Sequence, residues 1–294
     1  MRAFAGLRGR DRGRALPTTR SIVVDGRHLR VDVTPGARAR RSGPDNLAGQ
    51  VPLLLINGIG ASLELLQPFV DALPTTSEVI RFDPPGVGGS PAPALPYRIG
   101  GLCRLIARML STLGYDRVDV LGISWGGGVA QHFAAFQPDR CRRLVLVSTA
   151  TGALMVPAKP AVLARMVTPR RYLDPGYLIS VAPVLYGGSA RDDPARIGEF
   201  MHAESRVGAS KGYLYQLAAM AGWTSLPFLP LIRQPTLIMA GDDDPLIPLP
   251  NARVLHGLIP RSRLHVYHGG HLGLVTEAAE HAPVVSRFLG ERHE

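Results

Sequence analysis

Cysteine is almost missing from this chain: among 294 residues only Cys103 and Cys141 occur. Two thiols do not make a disulfide framework, and a reducing cytoplasm is the simplest setting. There is no uninterrupted apolar run of eighteen residues, so no membrane span is expected. The stretch from Met1 to Arg8 has no apolar core long enough for a secretory signal, which again points to the cytoplasm. The histidines lack partners at helical ligand spacing, so no metal site is expected. Glycine-rich Gly86-Val87-Gly88-Gly89-Ser90 stops short of a phosphate loop or a dinucleotide fingerprint, and no cofactor is expected. Internal repeats are absent too. Charged residues make up only 19% and apolar residues 46%, the balance of a soluble globular enzyme built as one large domain with an insertion.

A net charge of +10 would suggest a nucleic-acid partner if it were spread over the chain. It is not. Residues 1–41 carry eleven arginines and three acids, a net of +8, which leaves +2 for the other 253 residues. The body is close to neutral, and no nucleic-acid partner is expected. Residues 1–19 read as an Arg-rich, disordered, solvated arm. Its composition also resembles that of a transit peptide.

What is present is an alternation of buried strands and amphipathic helices. Ile22-Val23-Val24, Asp25-Gly26 and Leu29 to Val33 read as a hairpin, followed by a polar loop at 34–50. Continuous apolar runs at 51–56, 78–82, 117–123, 144–148, 236–240 and 264–267 predict strands of a mostly parallel sheet with helices on both faces. Helices are expected at 62–73, 101–113, after Ser124, and at 276–289. Between 149 and 233 the alternation stops; prolines, methionines and tyrosines accumulate, and an inserted helical cap is expected over the site. The core is then 20–148 with 234–294, and ligands bind beyond the carboxyl ends of its strands.

The organising stretch is Val118-Asp119-Val120-Leu121-Gly122-Ile123-Ser124-Trp125-Gly126, a strand running into a G-x-S-x-G turn that opens a helix. Flanking glycines allow the sharp turn, and the hydroxyl of Ser124 is presented at a helix N-terminus, where negative charge is favoured. A serine nucleophile needs a base, and the base needs an orienting acid, on loops that follow later strands. Asp242, Asp243 and Asp244 follow the strand 236–240, and His268 and His271 follow the strand 264–267. His271 comes after two glycines that let its loop bend back; His268 is the alternative, and His265 sits within a strand. An oxyanion needs two fixed donors. Those expected are the backbone N–H of Trp125, beside the nucleophile, and that of Ile59 in Asn57-Gly58-Ile59-Gly60.

These motifs resemble the α/β-hydrolase superfamily. Its G-x-x-D-x-x-x-P pattern selects Asp244, by offset from Gly241 and Pro248, with Asp243 as the rival. More narrowly, the chain resembles the intracellular depolymerases of medium-chain-length poly(3-hydroxyalkanoate). The likeness lies in Asn57 to Ala61, Phe82 to Ser90, Gly122 to Gly127 and Ala240 to Pro248. In the cap it lies in Met155-Val156-Pro157, Pro169 to Tyr172, Tyr186-Gly187-Gly188 and Gly222 to Ser225. Many relatives carry His-Gly where this chain has Asn57-Gly58. The resemblance implies a serine esterase that cleaves a granule-stored polyester through an acyl-Ser124 intermediate, with the granule surface or a medium-chain ester as its partner. Asn57, Met155, Tyr186 and Trp223 are the expected substrate contacts. A small-ester esterase or carbon–carbon bond hydrolase could use the same triad, and a granule-coating protein could carry it as a vestige. Epoxide hydrolases and dehalogenases need an aspartate at position 124, and polymer synthases a cysteine.

Overall fold

The computed structural model describes residues 18–36, 51–204 and 210–291. The arm expected at 1–19 lies outside the described residues, save that Thr18 and Thr19 already belong to the first strand. The loop expected at 34–50 lies outside them from residue 37 onward.

Among the described residues eight strands form one sheet: β1 (Thr18–Val24), β2 (Arg27–Thr34), β3 (Leu53–Ile56), β4 (Val79–Phe82), β5 (Val118–Ile123), β6 (Cys141–Val147), β7 (Thr236–Gly241) and β8 (Ser262–Tyr267). Their spatial order is β1-β2-β4-β3-β5-β6-β7-β8. β1 and β2 are an antiparallel hairpin turning through Asp25 and Gly26, and β2 is antiparallel to β4. From β4 to β8 every pairing is parallel. The inner strands β3, β4, β5 and β7 are buried along their whole length, as a sheet covered on both faces requires.

Side-chain alternation divides the core in two. Leu54, Ile56, Leu144, Leu146 and Ile238 face one layer, with α2 (Ile99–Thr112) and α3 (Trp125–Phe136) packed on it. Leu53, Leu55, Val145, Val147 and Met239 face the other, against α1 (Gln67–Ala72) and α12 (Ala278–Gly290). The helix expected at 62–73 is a 3₁₀ turn, Leu63–Leu66, followed by α1, in whose first turn Pro68 needs no N–H partner. The helix expected at 276–289 is likewise split, into α11 (Gly273–Thr276) and α12.

Between β6 and β7 the described residues form the helices α4 (Pro160–Met166), α5 (Arg170–Leu173), α6 (Pro175–Tyr186), α7 (Ser189–Asp192), α8 (Pro194–Glu204) and α9 (Ser210–Met220). After them α10 (Pro250–Leu258) links β7 to β8. A bridge between Gly152 and Thr224 closes the base of the insertion. Met166 and Tyr172 pack against both core layers, so the inserted helices are continuous with the body. No helix among the described residues is long and apolar enough to cross a membrane.

Candidate active site

Ser124 sits where β5 hands over to α3, with φ 54° and ψ −119°. A non-glycine residue there carries strain on the order of 1–3 kcal/mol, so its surroundings must hold it. They do: Ser124 N donates to Val147 O at 2.9 Å, and Ser124 O accepts from Gly127 N at 2.9 Å and from Thr149 Oγ1 at 2.7 Å. The flanking glycines are required by close approach. A Cβ on Gly122 would lie 2.3 Å from Gly126 O, and one on Gly126 would lie 2.2 Å from Ile56 O. The helix therefore starts immediately against the strands, with its positive end at the hydroxyl.

His271 Nε2 lies 3.0 Å from Ser124 Oγ, and His271 Nδ1 lies 2.8 Å from Asp244 Oδ2. The other carboxylate oxygen, Asp244 Oδ1, accepts from Leu246 N at 2.9 Å and Ile247 N at 2.8 Å. The side chains of His271 and Asp244 are 5% and 1% exposed. The two backbone N–H groups hold the Asp244 carboxylate in one orientation, with its free oxygen on the imidazole Nδ1.

The rival residues are engaged elsewhere. Asp243 Oδ2 accepts from Gly188 N at 2.7 Å and from Arg191 Nε at 2.8 Å, tying the core to the cap. The Arg191 guanidinium holds the Asp243 carboxyl below its ordinary value. Asp242 pairs with His268, whose side chain is 95% exposed. His265 stays within β8.

The Asn57 loop arrives at the nucleophile from β3. A Cβ on Gly58 would sit 3.7 Å from Ser124 Cβ. Asn57 is 3% exposed and braces this loop: its Nδ2 donates to Ser62 O at 2.7 Å and its Oδ1 accepts from Gly58 N at 2.8 Å. Both ends of its amide are thus engaged in bracing the loop. Among the described residues, neither Ile59 N–H nor Trp125 N–H meets a protein acceptor. Two unengaged donors flanking a serine hydroxyl are what a developing oxyanion requires.

The cap residues divide. Tyr186 comes to the site: its carbonyl accepts from His271 N at 2.7 Å, and its ring lies nearly parallel to the imidazole, 6.3 Å between centroids. That approach needs glycine on the facing loop, since a Cβ on Gly270 would meet Tyr186 O at 2.1 Å. Trp223 instead packs on α3. A Cβ on Gly128 would meet its ring at 3.1 Å, its Nε1 lies 3.5 Å from His132 Nδ1, and Phe228 is a ring neighbour at 6.0 Å. Its ring packs between the start of α3 and Phe228. Met155 is half-buried in a turn whose N–H bonds to Gly152 O.

Two further residues reach the site, Tyr172, noted in the sequence only as part of the Pro169–Tyr172 likeness, and Gln216, which was not noted at all. Tyr172 Oη donates to Ile59 O at 2.6 Å. Gln216 Oε1 accepts from Gly60 N at 2.7 Å, and Gln216 O accepts from Trp125 Nε1 at 3.0 Å. The Pro169–Tyr172 likeness assigns Tyr172 no role, and no motif marks Gln216. The only signal was Gly60, a glycine where neighbouring side chains crowd in: a Cβ there would meet Tyr172 at 2.7 Å and Tyr213 at 2.8 Å.

Comparison with known proteins agrees with this geometry. The alpha/beta hydrolase fold family matches residues 51–183 and 201–278. The chain is 49% identical over 276 residues to the poly(3-hydroxyalkanoate) depolymerase of Ectopseudomonas oleovorans, covering 94% of this chain and 93% of that protein. It is 28% identical to 3-oxoadipate enol-lactonase 2 of Acinetobacter baylyi, over 82% of this chain and 91% of that one. Among solved structures, the enol-lactonase from Burkholderia xenovorans superposes with a TM-score of 0.74 at 24% identity, covering 92% of this chain and all of that one, a likeness of fold. The chain belongs to the α/β-hydrolase fold family, in the branch that holds the Ectopseudomonas oleovorans depolymerase.

Proposed function

We propose that this chain is a serine ester hydrolase of medium-chain-length poly(3-hydroxyalkanoate), working in the cytoplasm at storage granules. Ser124 is the nucleophile, His271 the base and Asp244 the acid that orients it. The reading rests above all on the hydrogen-bonded line from Ser124 Oγ through His271 to Asp244, 3.0 Å and 2.8 Å. The polyester substrate is supported by the 49% identity to a poly(3-hydroxyalkanoate) depolymerase over 94% of the chain, a span that takes in the cap.

The steps follow from the geometry. His271 Nε2 takes the proton of Ser124 as Oγ attacks the ester carbonyl. The carbonyl oxygen gains the electron pair and is held by the N–H groups of Ile59 and Trp125. Collapse expels the alkoxide of the next repeat unit, which takes the proton from the imidazolium and leaves as a hydroxyl chain end. Water, deprotonated by His271, then attacks the acyl-serine, and a 3-hydroxy fatty acid or oligomer departs. An ester offers only hydrogen-bond acceptors, so donors at the oxyanion position and an apolar groove suffice to hold it.

The test is incubation of the pure protein with granules of medium-chain polymer and of poly(3-hydroxybutyrate), with products identified by mass. Release of medium-chain 3-hydroxy acids or their oligomers, lost in Ser124→Ala, is the expected result. Intact medium-chain granules with rapid turnover of acetyl esters would replace this reading by a small-ester esterase.

A further inference from the structure

The oxyanion loop of this chain is held by its cap. Ile59 and Gly60 lie in a short connection after β3, with no regular structure to fix them. From the core side, Asn57 braces the start of the loop through Gly58 N and Ser62 O. The middle of the loop has two side-chain partners, and both come from the cap: Tyr172 on the carbonyl of Ile59, and Gln216 on the N–H of Gly60. Gln216 also holds the other half of the site, because its carbonyl accepts from the indole of Trp125.

The holders are themselves stiffened. Tyr172 and Tyr213 meet edge to face, 6.2 Å between centroids. Arg171 is 2% exposed, and its guanidinium lies 4.7 Å and 5.2 Å from the centres of these two rings. Its Nη1 donates to Tyr213 Oη at 2.9 Å, and Tyr213 Oη donates to Met166 O. Among the described residues no carboxylate pairs with this arginine, so tyrosine faces and one phenolic oxygen carry its charge. Tyr213 and Gln216 stand one turn apart on α9, so a single helix carries the ring brace and the loop contact.

We propose that Tyr172 and Gln216 are positioning residues that set the oxyanion hole, so the cap completes the catalytic centre as well as covering it. This rests on the serine-hydrolase reading above. Neither residue touches substrate in this scheme. Tyr172 holds the carbonyl and Gln216 the N–H of one peptide unit, Ile59–Gly60, so the plane that directly follows Ile59 is fixed at both edges and the Ile59 N–H stays aimed at the oxyanion. Its direction matters only once negative charge develops, so the effect falls on kcat with little on KM.

The experiment uses the full chain with p-nitrophenyl octanoate, with rates expressed per active site titrated by a fluorophosphonate. Tyr172→Phe removes one hydroxyl, and Gln216→Met removes the acceptor while keeping the length. Each is expected to lower kcat by roughly ten- to a hundredfold, the range of a lost or misplaced oxyanion donor, with KM changed less than about threefold. Affinity for an alkyl trifluoromethyl ketone, which forms a tetrahedral oxyanion on Ser124, should fall in step with kcat/KM. A merely structural role would reduce the number of titratable sites and leave the rate per site alone. Variants that keep kcat per site within twofold, or lose it without losing affinity for the ketone, overturn the proposal while the hydrolase reading stands. A wild-type chain inert towards the ester removes both.

Discussion

At the scale of single residues, three aspartates in a row end the loop after β7, and spacing alone could not choose among them. The family pattern favoured Asp244, but the physical reason is visible only in space: Leu246 and Ile247 turn their N–H groups back onto its carboxylate and aim it at His271. Ser124 was legible because the strained elbow needs glycine on both sides, and that need is written in the sequence. Tyr172 and Gln216 were not, because a hydrogen bond to a backbone atom places no constraint on neighbouring residue types. Ser124→Ala, His271→Ala and Asp244→Asn are each expected to lower ester turnover by a factor on the order of 10⁴ or more, with unchanged circular dichroism. Because the three act as one unit, Ser124→Ala with His271→Ala should be little worse than Ser124→Ala alone. Asp243→Asn proving more damaging to turnover than Asp244→Asn would reverse the assignment.

At the scale of elements, strands were easier to read than helices. A strand buried on both faces is an unbroken apolar run, whereas the helices of the insertion are short, and α4, α6 and α8 begin with proline. The junction between cap and core went unseen for the same reason: it consists of glycine dipeptides pressed together, Gly187-Gly188 against Gly269-Gly270. Asp243 locks that junction through Gly188 and Arg191. Its carboxyl is held low by the Arg191 hydrogen bonds, so the lock is fully present above the unfolded carboxylate's value, about 3.9. It is lost as pH falls through the lower folded value. Limited proteolysis should therefore begin to cut in the cap below about pH 4. Asp243→Asn should show the same pattern of cuts at neutral pH. On the far side of the cap, Trp223→Ala removes a ring wedged between Gly128 and Gly152 and is expected to cost on the order of 3 kcal/mol, read as a lower Tm.

At the scale of the whole molecule, the alternation of strands and helices was enough to predict a mostly parallel sheet covered on both faces, because βα units leave few other arrangements. The eight-strand order, with β4 placed outside β3, could not be read, since nothing in a buried apolar run names its neighbour. On the proposed function the chain also seats a long, water-insoluble substrate. Each methylene of acyl chain that it buries contributes about 0.8 kcal/mol, roughly fourfold in affinity. The kcat/KM values for p-nitrophenyl esters should therefore climb from acetyl through butyryl to octanoyl. A flat or falling series would mean that the cap encloses no alkyl groove.

The two cysteines have a practical consequence. Cys103 and Cys141 are both free and buried, and burial pushes both thiols up, far from the thiolate that reacts with electrophiles. For maleimide chemistry at neutral pH the folded protein is thus already blank. One cysteine written into the cap, in place of Leu154 at 66% exposure, should label stoichiometrically while the unaltered protein takes up nothing. A fluorophore or a solid support could then be attached at a single known point beside the cap's base.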